Sequence, residues 1–181
     1  MLEAAGIPLE VKPVDLDERK LEGEFKPVTA RAAAALLAQA KARNASKRLP
    51  ERTVLGADQT LSLGTERFSK PANRAAAREQ MRALSGKTHE LHSAAALAEG
   101  GAIVFEHADT ARLTMRELSD RFIESYLDAA GDRAMTSVGA YQIEGLGAQL
   151  FERIEGDYFT ILGLPLLPLL HYFQRSGLIV E

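Results

Sequence analysis

No stretch of this chain declares its conformation as strongly as Ala30 to Ala45, which is dominated by Ala, Leu, Gln, Lys and Arg. These residues lose little freedom in a helix. Thr29 stands where a side-chain oxygen can cap the first free amides, so a long helix is expected there. Strand-like segments lie on both sides of it. Leu9 to Val14 reads as a strand, followed by the acidic cluster Asp15-Leu16-Asp17-Glu18 as a loop. Thr53 to Ala57 is a short apolar run ending at Asp58, and Gln59 to Leu63 continues it with period-two alternation before a turn at Gly64.

Further along, Pro71 suits the first turn of a second helix, Ala72 to Leu84, closed by Gly86. Thr88 to Ala98 and Ala102 to Thr114 flank Gly100-Gly101, a pair that supplies the positive φ angles of a tight hairpin. Ser119 caps a third helix running to Ala130, and Gly131 ends it. A glycine-punctuated strand region is expected from Val138 to Ile154, and a last helix from Pro165 to Arg175. Helices interleaved with strands that include a hairpin predict an α/β fold with a mixed sheet rather than a purely parallel one. At 181 residues the chain is expected to form a single domain, with room for two lobes around a cleft.

Composition narrows the chemistry. The chain has 46% hydrophobic and 26% charged residues, the balance of a globular protein with a packed core. Its formal net charge of -3 gives no field that would gather a polyanion, so duplex nucleic acid is not an expected partner. With no cysteine, any catalysis must come from carboxylates, Lys, Arg, His, Ser or Thr. The most apolar tract, Ile161 to Phe173, is broken by Pro165 and Pro168 and is too short to span a bilayer. The first residues have neither the basic segment nor the apolar stretch of a secretory leader, so no membrane partner and a cytoplasmic location are expected. Met1 to Ala5, ended by Gly6, reads as the last turn of a helix that has no preceding part in this sequence.

Several polar residues could carry chemistry. Asp58 is expected at the carboxyl end of a buried strand, where open α/β sheets place ligands; the same residue could instead shape a turn. Asp15, Asp17 and Glu18 could supply oxygen ligands to Mg²⁺, or could form a solvated loop. Lys70 precedes a helix whose first amides attract anions, or is a surface lysine. Lys41 is a weaker candidate, since one Lys on an amphipathic helix usually marks the wet face. His89, His92, His107 and His171 follow no metal or triad spacing and read as structural. The glycines around Glu144 fit either close approach to a flat ligand or a bulged strand.

Five motifs occur in order: Gly56-Ala57-Asp58-Gln59, Ser69-Lys70-Pro71, Leu84-Ser85-Gly86-Lys87-Thr88-His89, Gln142-Ile143-Glu144-Gly145, and Glu155-Gly156-Asp157-Tyr158 followed by Gly163-Leu164-Pro165-Leu166. Together they resemble the Maf-like nucleotide pyrophosphatases along nearly the whole chain. That resemblance implies an elongated α/β fold with a mixed sheet and a cleft between two lobes, related to the inosine triphosphate pyrophosphatases, and commonly a homodimer. It implies hydrolysis of a nucleoside triphosphate to a monophosphate and pyrophosphate with a divalent metal, Mg or Mn.

By motif, Asp58 is similar to the family's catalytic acid, Lys70 to its active-site lysine, Glu18 to the acid of its early loop, and Lys41 to the lysine of its Ala-rich helix. Asp58 and Glu18 are the implied metal ligands. Gln59 and Glu144 resemble the branch that acts on 7-methyl-GTP, where a carboxylate can accept from both the ring N–H and the exocyclic amine of guanine and suits a cationic base. The alternatives are the dTTP/UTP branch and a non-catalytic binding protein of septum formation. Family members also carry an opening strand and a Ser-x-x-Arg-Arg loop upstream of the stretch matched by Met1 to Gly6, and this sequence does not contain them.

Overall fold

The computed structural model describes residues 1–179. The helices are α1 (Glu18–Phe25), α2 (Ala30–Arg48), α3 (Arg74–Leu84), α4 (Asp120–Ala130), α5 (Tyr158–Ile161) and α6 (Leu166–Arg175). The strands are β1 (Val54–Leu63), β2 (Glu66–Phe68), β3 (Thr88–Glu99), β4 (Ala102–Met115) and β5 (Phe151–Glu155), forming one sheet in the order β2-β1-β3-β4-β5. β1 pairs antiparallel with β2, and β4 with β5. The two-residue turn at Gly100 (φ 56°) and Gly101 (φ 89°) folds β3 back on β4, as the sequence predicts. The chain is α/β, and its residues group into two compact units.

The first unit comprises Met1–Gln59, His92–Asp109 and Tyr158–Glu181. Thr29 caps α2 by accepting from the Ala32 amide at 3.1 Å, and the helix runs one turn beyond Ala45. Its packing face is made almost wholly of alanine: Ala34, Ala38 and Ala42 meet Ala94, Ala96 and Ala98 of β3. The alternate residues Ala95 and Leu97 turn the other way, onto Leu166, Leu169 and Phe173 of α6. The sheet here is thus covered on both faces, which is why β3 reads as an unbroken buried run from Leu91 to Ala98. Leu55 and Ala57 of β1 join the α6 face, while Gly56 meets α2.

Three expectations for this unit need correction. Leu9 to Val14 is not a strand: it has no regular structure, Leu9 and Val11 are exposed, and Pro8 and Pro13 lack the amides a ladder requires. The acidic loop holds for Asp15 to Asp17, but Glu18 opens α1, with Asp17 as its cap accepting from the Lys20 amide at 2.9 Å. Val54–Leu63 is one strand, so Asp58 lies in its middle and not at a carboxyl end.

The second unit comprises Thr60–Leu91 and Thr110–Asp157. Asn73 caps α3, accepting from the Ala76 amide at 2.9 Å, so this helix begins two residues later than Pro71 suggests. Ser119 caps α4 as expected. Arg74 binds Glu124 and Asp128 at 2.8 Å each, Arg78 also binds Glu124, and these guanidinium groups hold the Glu124 carboxyl down near 2. The expected strand from Val138 to Ile154 is instead two short 3-10 turns, Val138–Ala140 and Leu146–Leu150, with only β5 extended. Gly139 (φ 80°) and the close seat of Gly147 on the Gln142 backbone favour turning over extension.

His89 is fully buried in this unit, its Nε2 2.7 Å from the Tyr141 hydroxyl, with Phe151 against both rings. Nδ1 is buried with no hydrogen-bond partner, and burial lowers the imidazole to about 4 from an ordinary 6.5. The unfolded chain therefore binds a proton between pH 6.5 and 4 that the folded chain refuses. Stability is expected to be full above about pH 6.5 and to fall by about 3 kcal/mol on acidification to pH 4. Thermal melts of wild type and His89→Gln across this range check it, the variant being flatter.

Candidate active site

The site is assembled by the contact of α2 with β1. A Cβ built on Gly56 would stand 2.2 Å from the Ala38 carbonyl oxygen and 2.6 Å from the Ala42 amide nitrogen, so only glycine admits the helix backbone this near the strand. Side chains two apart on a strand share a face, so Asp58 points to the same side as Gly56. Lys41, next to Ala42 on the helix, is delivered there: its Nζ lies 2.5 Å from Asp58 Oδ1. It also lies 2.9 Å from Glu18 Oε1, in the first turn of α1.

Exposure grades outward through this group, from 12% for the Asp58 side chain through 28% for Lys41 to 47% for Glu18. Burial is the largest influence on Asp58 and raises its carboxyl; Lys41 opposes this, while the charges of Glu18 and Glu22 add to it. Burial is also the largest influence on Lys41 and works to lower it, but the hydrogen bonds and charges of Asp58 and Glu18 together outweigh it and leave the ammonium raised. The result is a firmly charged ammonium beside a carboxylate that is easier to protonate than an ordinary Asp. Such a group can take a proton from a bound water while a cation neutralises phosphate oxygens.

Gln59, Lys70 and Glu144 stand in the following surroundings. Gln59 points away from Asp58, and its Nε2 donates to Ser93 Oγ at 2.9 Å and to the carbonyls of Thr160 and Ile161 at 3.1 and 3.0 Å. Ser93 Oγ donates to the Thr160 carbonyl at 2.6 Å, so the pair clasps α5 to the sheet. Lys70 belongs to the second unit, exposed in the loop before Asn73, with Gln80 donating to the neighbouring Ser69 carbonyl at 2.7 Å. Glu144 is also in the second unit, exposed in a turn.

Among the described residues no cluster of three or more His, Asp or Glu could enclose a metal. Asp58 and Glu18 fit a narrower role, since Mg²⁺ commonly takes one or two carboxylates and completes its shell with water and substrate phosphate. No described helix is long and apolar enough to cross a membrane.

Sequence reasoning undervalued two residues. On its helix alone Lys41 reads as a weaker candidate than Asp58, yet it is the hub of the group; the signal is its place beside the alanines that form the packing face. Gly56 read only as part of a motif, because a helix backbone pressed against it leaves no local trace.

Residues 1–176 match the family described as Maf-like protein. The nucleoside triphosphate pyrophosphatase of Rhodopseudomonas palustris (strain BisB18) is 53% identical over 179 residues, covering 99% of this chain and 89% of that protein. The 7-methyl-GTP pyrophosphatases of Rhizobium etli and Mesorhizobium japonicum are 50% and 52% identical over 181 residues, covering 99% of this chain and 91% of each. The chain belongs to the Maf-like protein family.

Proposed function

We propose that this protein is a nucleoside triphosphate pyrophosphatase. Water attacks the α-phosphorus, the bond from that phosphorus to the oxygen bridging the β-phosphate breaks, and pyrophosphate leaves with a nucleoside monophosphate as the second product. The observation that carries the reading is the Lys41 ammonium held between Asp58 and Glu18, in a chain half identical to proteins named for this activity. Asp58 accepts the proton of the attacking water, and Lys41 offsets charge on the phosphate oxygens. Lys70, assigned by its motif, is the second phosphate-binding cation. Asp58 and Glu18 would hold a divalent cation, Mg or Mn, which supplies further neutralisation of the phosphate charge. A cytoplasmic homodimer belongs to the same reading and rests on the family resemblance.

Within the family, we infer a preference for 7-methyl-GTP. The relatives from Rhizobium and Mesorhizobium bear that name, and Glu144 supplies an exposed carboxylate able to pair with two adjacent guanine donors. Gln59 supports the reading indirectly, by fixing the segment at Thr160 and Ile161. Pyrophosphate release from a nucleotide panel tests this. The chain should cleave 7-methyl-GTP faster than dTTP or UTP. Glu144→Gln should shrink that ratio about tenfold, the difference between a charge-assisted and a neutral hydrogen bond. Faster cleavage of pyrimidine nucleotides would overturn the assignment.

A further inference from the structure

In the second unit, Lys70 is exposed in the loop between the end of β2 at Phe68 and the Asn73 cap of α3. A lysine on a surface loop ordinarily samples many backbone positions as well as many side-chain ones. Two features restrict this one. Pro71, directly after it, is buried; the proline ring fixes its own φ and disfavours helical backbone at Lys70. Directly before it, the Ser69 carbonyl accepts a hydrogen bond of 2.7 Å from Gln80 Nε2. That carbonyl and the Lys70 amide belong to one planar peptide group, so holding the oxygen fixes the plane from which the Lys70 side chain starts.

Gln80 reaches this peptide from a distance. It lies about two turns into α3, roughly 10 Å along the helix axis from the Asn73 cap, so the tie lays the loop back beside the helix. The Ser69 oxygen can only accept, so the Gln80 amide must turn its nitrogen toward it. That orientation leaves Gln80 Oε1 buried with no hydrogen-bond partner. A buried acceptor without a donor is unfavourable, and an apolar side chain of the same length would avoid it. Glutamine is therefore a poor residue for packing at this position and a good one for holding the peptide before Lys70.

We propose that Gln80 is a positioning residue for Lys70, holding the Ser69–Lys70 peptide so that the ammonium is presented to a substrate phosphate from a fixed origin. The role rests on the reading of Lys70 as a phosphate-binding cation. A charge already in place loses less freedom when the phosphate arrives, and a displacement of about 1 Å in such a group can lower the rate by up to about a hundredfold. Pro71 and Gln80 act on the two sides of Lys70, and only Gln80 does so through a side chain that can be replaced without changing the backbone.

Gln80→Met tests this, since it keeps the length and helix propensity of the side chain and removes both the donor and the orphaned acceptor. The melting temperature should stay within about 2 °C of wild type. The order parameter of the Lys70 amide, measured by NMR relaxation without nucleotide, should fall from about 0.85 to below about 0.6. For the nucleoside triphosphate cleaved fastest, kcat/KM should drop about tenfold. In a Lys70→Met background the same substitution should change kcat/KM by less than about twofold, because the group it positions is gone. An equal loss on both backgrounds, the mark of a residue that only supports the fold, would overturn the proposal, as would an unchanged Lys70 order parameter. Hydrolysis absent in the wild type, or undiminished in Lys70→Met alone, would refute the reading of Lys70 and remove the role of Gln80 with it. The relaxation measurement, made without nucleotide, tells that failure from a tie that does not hold the loop.

Discussion

Asp58→Asn is expected to lower pyrophosphate release by at least a hundredfold while the protein remains folded. The magnitude is that of losing a positioned general base, typically about 10²–10⁴ in rate. The fold should survive because the amide is nearly the same size and no longer carries a charge that burial disfavours. Lys41 keeps Glu18 at 2.9 Å, so its ammonium is not stranded, and the change in stability should stay within about 2 kcal/mol. Lys41→Met separates the two roles of the pair. It removes the group that holds the Asp58 carboxyl down, so the acid limb of the kcat/KM profile should move to higher pH. An Asp58→Asn protein with near-normal kcat, confirmed folded by its melt, would remove Asp58 from the mechanism.

The sequence made the local structure legible where one side chain or one glycine decides it. Thr29, Ser119 and the Gly100-Gly101 pair each act within a few residues of themselves, and each acts as predicted. It failed where the deciding partner is distant. Leu9 to Val14 has the composition of a strand but no strand pairs with it among the described residues, and the prolines at each end restrict its ladder. The glycines from Val138 onward read as punctuating a strand, by close approach to a flat ligand or by a bulge, and contacts such as Gly147 against Gln142 make them turns instead. The helix at Glu18–Phe25 was hidden by its acidic start, although Asp17 followed by Glu18 is also how a helix opens.

The candidate site divides in the same way. Asp58, Lys41 and Glu18 were each named from the sequence, but their convergence depends on α2 lying against β1, and no spacing rule joins positions 18, 41 and 58. Family resemblance assigned the roles; the Ala-lined contact and Gly56 explain how the residues meet. Lys70 and Glu144 remain assigned by motif, since both belong to the second unit.

Gly56 is consequently the position where the smallest change should do the most damage. Gly56→Ala adds a methyl group 2.2 Å from one backbone atom of α2 and 2.6 Å from another, and neither can swing aside as a flexible side chain would. Either the helix retreats from the sheet or the strand bends. Retreat would open the alanine interface and draw Lys41 away from Asp58, so stability and turnover should fall together. Overpacking against yielding neighbours costs about 1–3 kcal/mol, and rigid backbone places this site at the top of that range. For a chain of this length the melting temperature should drop by roughly 6–12 °C. Gly23→Ala is the matched control: it lies in α1 with nothing within 4 Å of the added methyl, and should gain up to about 1 kcal/mol from helix propensity. If Gly56→Ala melts within about 2 °C of wild type, the close approach of helix and strand is not what holds the lysine on the carboxylate.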